Sequence, residues 1–407
     1  EKILLMTTSA LSGIRILDFS RVVAAPFASM ILSDLGAEVW KIERPGVGDD
    51  SRLFTPPEIN GQSCYTLGLN RNKKSIAMNL AHPEAQNLAQ KLATKADIVI
   101  ENFKTGYMKN FCLDYPQLAQ LNPGLIYCSI TGYGPEGPCA NDPGYDVIAA
   151  AVGGFLGITG LKGGDQEPVK AGVAVTDLST GLYAHGAILA ALFHRIKTGK
   201  GQHINCNLFS TQLAMLTNIA SNFLNAGIEG RPLGTEHESI VPYQAFRTKD
   251  NRFFVVGAGN DQAFKKLCEK MDLPELCNSS DYKTNADRVR NREKLIGMFS
   301  KKFLEHDLEH WNVLLKHSKF PAGPVNTIRE AFRHKQTQHI GIVKLITHQQ
   351  YGTVKVVGPP VLFSMSENRI RSPPPLLGEH TKEILRDELG LDDGTLERLK
   401  REKAIDY

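Results

Sequence analysis

Cysteine is scarce and unpatterned in this chain. The seven residues at 64, 112, 128, 139, 206, 268 and 277 are odd in number and form no Cys-x-x-Cys. That spacing argues against a zinc site or a disulfide framework and suits a reducing setting. Long apolar runs are also missing. The stretches 147–161 and 182–193 are interrupted by glycines or by His185 and fall short of the roughly 20 residues a membrane helix needs. No basic block stands out either: 47 lysines and arginines face 43 acidic residues, so nucleic acid is not the expected partner, whereas a small anionic molecule is compatible. Histidines such as His185, His203 and His237 are scattered and form no metal-like set, and no metal is expected. The amino end, Glu1 to Met6, carries no full signal peptide or arginine-rich presequence and does not begin with Met, so the compartment is not read from it.

What is present is a globular composition. With 407 residues, 42% hydrophobic and 22% charged, the chain can build two domains with real cores. Ile14–Phe19 reads as a buried strand, Pro26–Gly36 as a helix opened by proline and closed by glycine, and Glu38–Ile42 as the next strand. The alternation continues with a strand at Ser75–Leu80, a helix at Pro83–Lys95, strands at Asp97–Ile100 and Leu125–Ser129, a helix from Asp177 to Lys197, a strand at His203–Leu208 and a helix over Thr211–Ala226. Such a pattern predicts an α/β fold: a doubly wound, mostly parallel, Rossmann-like sheet with ligands at the carboxyl ends of its strands. From about Gly227 charges and turns increase, with a strand at Phe253–Gly257 and helices near Asp261–Met271 and Asn291–Lys302. The expected division is a large domain over 1–226, a small α+β domain over 227–331, and a return to the large domain over 332–407. Gly352–Arg371 reads as extended, and charged helices follow His380.

The turn after the first strand, Ser20–Pro26, contains no glycine, so it lacks the close backbone approach with which dinucleotide enzymes cradle a pyrophosphate. The cluster Gly160–Gly164 fails the phosphate-loop spacing and reads as a surface turn. Asn70-Arg71-Asn72-Lys73-Lys74 is either a phosphate-binding cluster or a solvated loop. The most informative residue is Asp177, one carboxylate among Val173, Ala174, Val175 and Leu178 where a helix begins. Burying a charge there costs several kcal/mol unless compensated. As an N-cap it would open a buried helix with Leu182, His185, Gly186, Leu189 and Phe193 at helical spacing; as a nucleophile it would exploit the same positive helix end.

These residues also carry a family resemblance. Leu11–Phe19, Leu35–Gly46, Asn70–Ser75, Ala96–Phe103, Gly132–Gly134, the Asp177 segment, Thr198–His203 and Pro375–His380 together resemble the class III CoA-transferases of the formyl-CoA transferase and carnitine-CoA transferase type, along nearly the whole chain. The resemblance implies a large doubly wound domain, a small domain and an interlocked homodimer. It implies Asp177 as the catalytic carboxylate, Val22 and Val23 beside the nucleotide and acyl group, and Arg44, Asn70, Arg71, Asn72, Lys73, Asn102 and Phe103 as residues that hold CoA. Asp146 falls where relatives carry an acid near the reacting centre. Relatives often place Arg eight residues after the Asn of Asn102-Phe103, whereas this chain has Asn110 with Lys109 beside it.

The implied activity is transfer of CoA from succinyl-CoA to a dicarboxylic acid, glutarate or hydroxymethylglutarate, in the mitochondrial matrix and without a cofactor, CoA thioester being a substrate. An ionised Asp177 of ordinary pKa would attack the thioester, giving an anhydride and then an enzyme thioester. Oxyanion donors are sought in the amides at the helix start and in Gly257-Ala258-Gly259. Candidates for the substrate's second carboxylate are Arg21, Arg52, His237 and Arg247, none singled out by spacing. The rival within the same superfamily is an α-methylacyl-CoA racemase, disfavoured because its proton-exchanging His is replaced in Gly144-Tyr145-Asp146 by a tyrosine, a poor base near neutrality. A CoA-binding protein without turnover is the non-enzymatic alternative, and an intact Asp177 speaks against it.

Overall fold

The computed structural model describes residues 9–163 and 167–407. The amino-terminal hexapeptide and Gly164 lie outside the described residues. The chain divides into two compact units, the first formed by residues up to Phe155, Lys170–Gly227 and Gly341–Tyr407, the second by Leu156–Val169 and Ile228–Ile340.

In the first unit the strands of the main sheet are β1 (Arg15–Asp18), β2 (Glu38–Glu43), β3 (Lys73–Met78), β4 (Ile98–Glu101), β5 (Ile126–Thr131), β6 (Gln202–Asn207) and β7 (Ile405–Asp406). They form one sheet in the order β7-β3-β2-β1-β4-β5-β6. All pairs are parallel except β7 with β3. The order reverses between β1 and β4, the point at which an open α/β sheet leaves a crevice above its carboxyl edge. The main helices are α1 (Ala24–Asp34), α2 (Pro83–Lys95), α3 (Asp146–Val152), α4 (Val175–Thr198), α5 (Leu208–Met215), α6 (Thr217–Ala226), α7 (Thr381–Leu389) and α8 (Asp393–Arg401). Both faces of the sheet are apolar because successive side chains of a strand point to opposite sides. Leu17, Trp40, Ile76 and Val99 pack with α2, α7 and α8 on one face. Ile16, Val39, Ile98 and Ile126 pack with α1 and α4 on the other.

Helix α4 differs from its sequence reading in two ways. It starts at Val175, so Asp177 sits inside the first turn rather than at the N-cap, which is Ala174. Its buried face is Thr176, Asp177, Thr180, Gly181, Ala184, Ile188, Ala191 and Leu192. In the expected stripe of Leu182, His185, Gly186, Leu189 and Phe193, Leu182 is 50% and Phe193 59% exposed. Small residues decide the face, because α1 approaches α4 closely: a Cβ on Gly181 would stand 2.6 Å from the Ala24 carbonyl oxygen. The single helix expected over Thr211–Ala226 is two, broken where Thr217 takes φ +43°.

The second unit is α+β, with a three-stranded antiparallel sheet in which Phe253–Gly257 pairs with both Tyr243–Arg247 and Ala322–Pro324. Its core gathers Phe246, Phe254, Phe264, Phe299, Phe303 and Trp311. Two boundaries differ from the sequence reading. Leu156–Val169 joins this unit, where the Gly160 oxygen accepts from the Gly234 amide at 2.9 Å and Lys162 pairs with Glu236 and Glu293 at 2.9 and 2.8 Å. The unit also continues through Ile328–Arg333 and Lys335–Ile340, anchored by the Arg252–Glu330 pair at 2.8 Å.

Gly181→Ala should force α1 and α4 apart and cost about 1–3 kcal/mol, the usual range for overpacking. Chemical denaturation checks this, and an unchanged midpoint would contradict the close approach.

Candidate active site

The site begins with a charge network under the turn that follows β1. Lys41, Lys73 and Asp18 are fully buried, and Asp49 nearly so. Lys41 pairs with Asp49 at 2.9 Å and donates to the Ser20 carbonyl at 2.6 Å. Lys73 donates to the Pro26 carbonyl at 2.9 Å and faces Asp18 at 3.5 Å. Asp18 accepts from the Ser20 amide and from Ser29. Asp49 Oδ1 accepts the Val22 amide at 3.0 Å and that of Ser51 at 2.9 Å. Burial pulls the Asp49 pKa upward, but Lys41 and the two amides outweigh it and hold the group down at about 2.

This frame imposes an unusual backbone. Val22 has φ +68°, a left-handed conformation that a β-branched residue avoids. Asn102 completes the clamp, accepting from the Arg21 amide at 2.9 Å and donating to the Arg21 carbonyl at 2.7 Å. The turns after β1 and β4 are thereby locked together at the reversal of strand order.

Two cavities open over these turns. One of about 420 Å³ is lined by Phe19–Arg21, Arg44, Asn79–Ala81, Phe103, Lys104 and Tyr107, among others. The other, about 200 Å³, is lined by Arg21–Ala24, Asn102–Thr105, Tyr145, Asp177 and neighbours. Arg21, Phe103 and Lys104 line both, so the two adjoin at these residues and together are called the cleft. The Arg21 guanidinium lies 5.0 Å from the Phe103 ring centroid and pairs with Asp50 at 3.0 Å.

Asp177, 9% exposed, closes the smaller cavity. The N-terminus of α4 is capped from outside by Asp146, whose Oδ1 accepts the Thr176 amide at 2.8 Å and the Asp177 amide at 3.1 Å. Asp146 thus takes the positive helix end that the sequence reading assigned to Asp177. Burial, and then the Asp146 charge, push the Asp177 carboxyl up to about 7. The ordinary carboxylate pKa expected from sequence is therefore corrected. Tyr65, which sequence reasoning missed, has its phenol raised by burial and then by the charges of Asp177 and Asp146.

Of the expected site residues, Val22, Val23, Asn102, Phe103 and Asp177 meet in the smaller cavity, and Arg44 lines the larger. The run Asn70–Lys73 lines neither. Arg71 makes a forked pair with Asp34, at 2.6 Å for its closest atoms. Asn72 donates to Asp34, and Asn70 to the Thr66 carbonyl. Arg71 and Asn72 thus tie this run to Asp34, 37 and 38 residues earlier, whereas the Asn70 contact is local. Arg52 forms a fork with Glu43 at 2.7 Å and 2.8 Å. His237 and Arg247 belong to the second unit, where the His237 ring rests on Tyr243 and Arg247 lies over Phe253. In the proposed oxyanion stretch, the Gly257 and Ala258 amides are already given to Pro321 and Pro242 carbonyls. Lys109 and Asn110 line neither cavity. Sequence reasoning also passed over Lys41 and Asp49, although a lysine inside Glu38-Val-Trp-Lys-Ile42 was a visible sign of a buried charge. Among the described residues no cluster suits a metal ion, and no helix is long and apolar enough to cross a membrane.

A doubly wound sheet with adjoining cavities over its reversal of strand order, Arg21, Arg44 and Lys104 among their linings and the buried Asp177 carboxylate in one of them, fits the class of enzymes that transfer groups on extended anionic carriers. The chain belongs to CoA-transferase family III, whose model matches residues 11–381. It is 47% identical over 389 residues to the succinyl-CoA:glutarate CoA-transferase of Mus musculus, covering 96% of this chain and 88% of that protein. The Homo sapiens protein of the same name is also 47% identical, over 396 residues, covering 97% of this chain and 90% of the relative. Among solved structures, a CAIB/BAIF family protein from Brucella suis superposes with a TM-score of 0.83 at 36% identity, over 94% of this chain and 100% of that one.

Because Asp177 holds its proton more tightly when folded, its charge opposes folding above pH 7, and the penalty disappears below the unfolded value near 4. Asp177→Asn should therefore stabilise the protein by as much as about 4 kcal/mol at pH 8 and by little at pH 4. Thermal melts at the two pH values measure it; equal effects at both would remove the raised pKa.

Proposed function

We propose that this chain transfers CoA from succinyl-CoA to glutarate with Asp177 as the nucleophile. The observation that carries this reading is the buried Asp177 in the lining of a cavity that adjoins a larger one at Arg21, Phe103 and Lys104. The names of the mammalian relatives support the choice of donor and acceptor.

The Asp177 carboxylate attacks the succinyl thioester carbonyl, forming an aspartyl-succinyl anhydride and releasing CoA thiolate. The thiolate, retained in the cleft, attacks the Asp177 carbonyl, giving an enzyme thioester and free succinate. Glutarate replaces succinate and its carboxylate attacks that thioester, regenerating an anhydride and thiolate. Attack of thiolate on the glutaryl carbonyl yields glutaryl-CoA and the original carboxylate. Amides at the start of α1, which has no side-chain cap and whose Val23 and Ala24 line the cavity, are suited to the oxyanions. Arg21 is the candidate for the distal carboxylate, because of the four cations considered it alone lines the Asp177 cavity.

A second copy of the chain fits the surface left bare. On α4, Tyr183 and Ile196 are 55% and 80% exposed, and Leu362 is 90% exposed. Apolar groups of that number favour a homodimer. The mitochondrial matrix is the proposed setting, a reducing compartment in keeping with seven free cysteines.

Asp177→Ala should lower succinyl-CoA:glutarate exchange at least about a thousandfold while the protein stays folded. Retained exchange would sink the proposal, whereas a hydroxylamine-trapped mass increase on Asp177 in the parent protein would support it. Since the attacking form is the carboxylate, kcat/KM should fall as pH drops through about 7. Asp146→Asn keeps a capping oxygen but removes the charge, so the inflection should move to lower pH, though not all the way, burial being the larger cause. An inflection that stays in place would show that Asp146 does not act on Asp177 through its charge.

A further inference from the structure

A second opening adjoins the larger cavity, and it is built by the far end of the described chain. Strand β7 pairs antiparallel with β3, placing Ile405 against Met78, and α8 leads into it. The Asn79 amide donates to the Ala404 carbonyl at 2.9 Å and its side chain donates to the Lys403 carbonyl at 3.2 Å. Lys403 itself is held at φ +60°, a left-handed conformation uncommon for lysine. The result is an opening of about 510 Å³ lined by Arg44, Asn79, Lys400, Lys403 and Asp406. Arg44 and Asn79 line the larger cavity of the cleft as well, so the two spaces meet at these residues.

The cations around this opening are not equivalent. Lys400 is satisfied within the protein, paired with Asp406 at 3.2 Å and donating to the Tyr407 carbonyl at 2.5 Å. Arg44 and Lys403 make no ion pair among the described residues and both are exposed. Two unneutralised cations lining one opening repel each other until an anion enters between them. A phosphate monoester, carrying close to two negative charges, matches such a pair.

We propose that Arg44 and Lys403 hold the 3′-phosphate on the ribose of CoA, a group that branches from the main run of the molecule as this opening branches from the cleft. The proposal rests on the reading of the cleft as a CoA site. It assigns the phosphate contact to the carboxyl-terminal segment rather than to Lys109, which lines none of these cavities.

Calorimetric titration of the full chain with CoA and with 3′-dephospho-CoA tests it without requiring turnover. The parent protein should bind CoA about tenfold more tightly than the dephospho form, with a preference that shrinks as salt is raised. Lys403→Gln should lose most of that preference by weakening CoA alone, and Lys403→Arg should keep it. Equal binding of the two nucleotides by the parent, or a preference that survives in Lys403→Gln, overturns the proposal while leaving the CoA cleft in place. Failure of either nucleotide to bind removes the proposal together with the CoA reading.

Discussion

The carboxylate of Asp49 is the group on which the site's geometry depends. It takes the Val22 amide with one oxygen and the Lys41 ammonium with the other, and Lys41 in turn holds the Ser20 carbonyl. A buried ion pair of this kind adds little net stability, since desolvation consumes most of the Coulomb gain. Its role here is geometric. It holds Val22 in a backbone conformation that the residue would otherwise leave, and so determines which atoms of the turn line the Asp177 cavity. Lys73 and Asp18 do the same for the Pro26 carbonyl and Ser29 on the following helix.

Opposite this turn, two acidic residues divide two tasks. Asp146 caps the first turn of α4 with hydrogen bonds, and the Asp177 carboxylate inside that turn has no such donor among the described residues and lies in the field of a like charge. Asp177 therefore holds its proton more tightly than an ordinary carboxylate, while Asp146 serves as the cap. A carboxylate destabilised by burial is poorly solvated, which favours its attack on an electrophile once a substrate excludes water.

The frame of the fold was legible in the sequence where local signals agree. The helix Pro83–Lys95 carries proline at its first position and apolar residues at helical spacing, and it forms over those same residues. Phe253–Gly257 is likewise a strand as read. Legibility fails where packing depends on what is small or on what is distant. The buried face of α4 is set by Gly181, Ala184 and Ala191, which a search for large apolar residues ranks last. Asn70–Lys73 reads as a free basic cluster because Asp34 and Asp18, which absorb Arg71 and Lys73, come from strands and helices formed much earlier in the chain. Asp177 was conspicuous through its apolar neighbours, but the cap that Asp146 provides across 31 residues leaves no local trace.

The pairing of β7 with β3 joins residues more than 300 positions apart, Met78 and Ile405, into one sheet edge. Contacts of such sequence separation form late and slowly, because a long loop must close before they are rewarded. During synthesis, the turns after β1, β2 and β4 can emerge and fold well before Ile405 leaves the ribosome. A nascent chain therefore presents an open β3 edge until the segment around Ile405 docks, and a helper that shields unpaired strands would find its substrate in that interval.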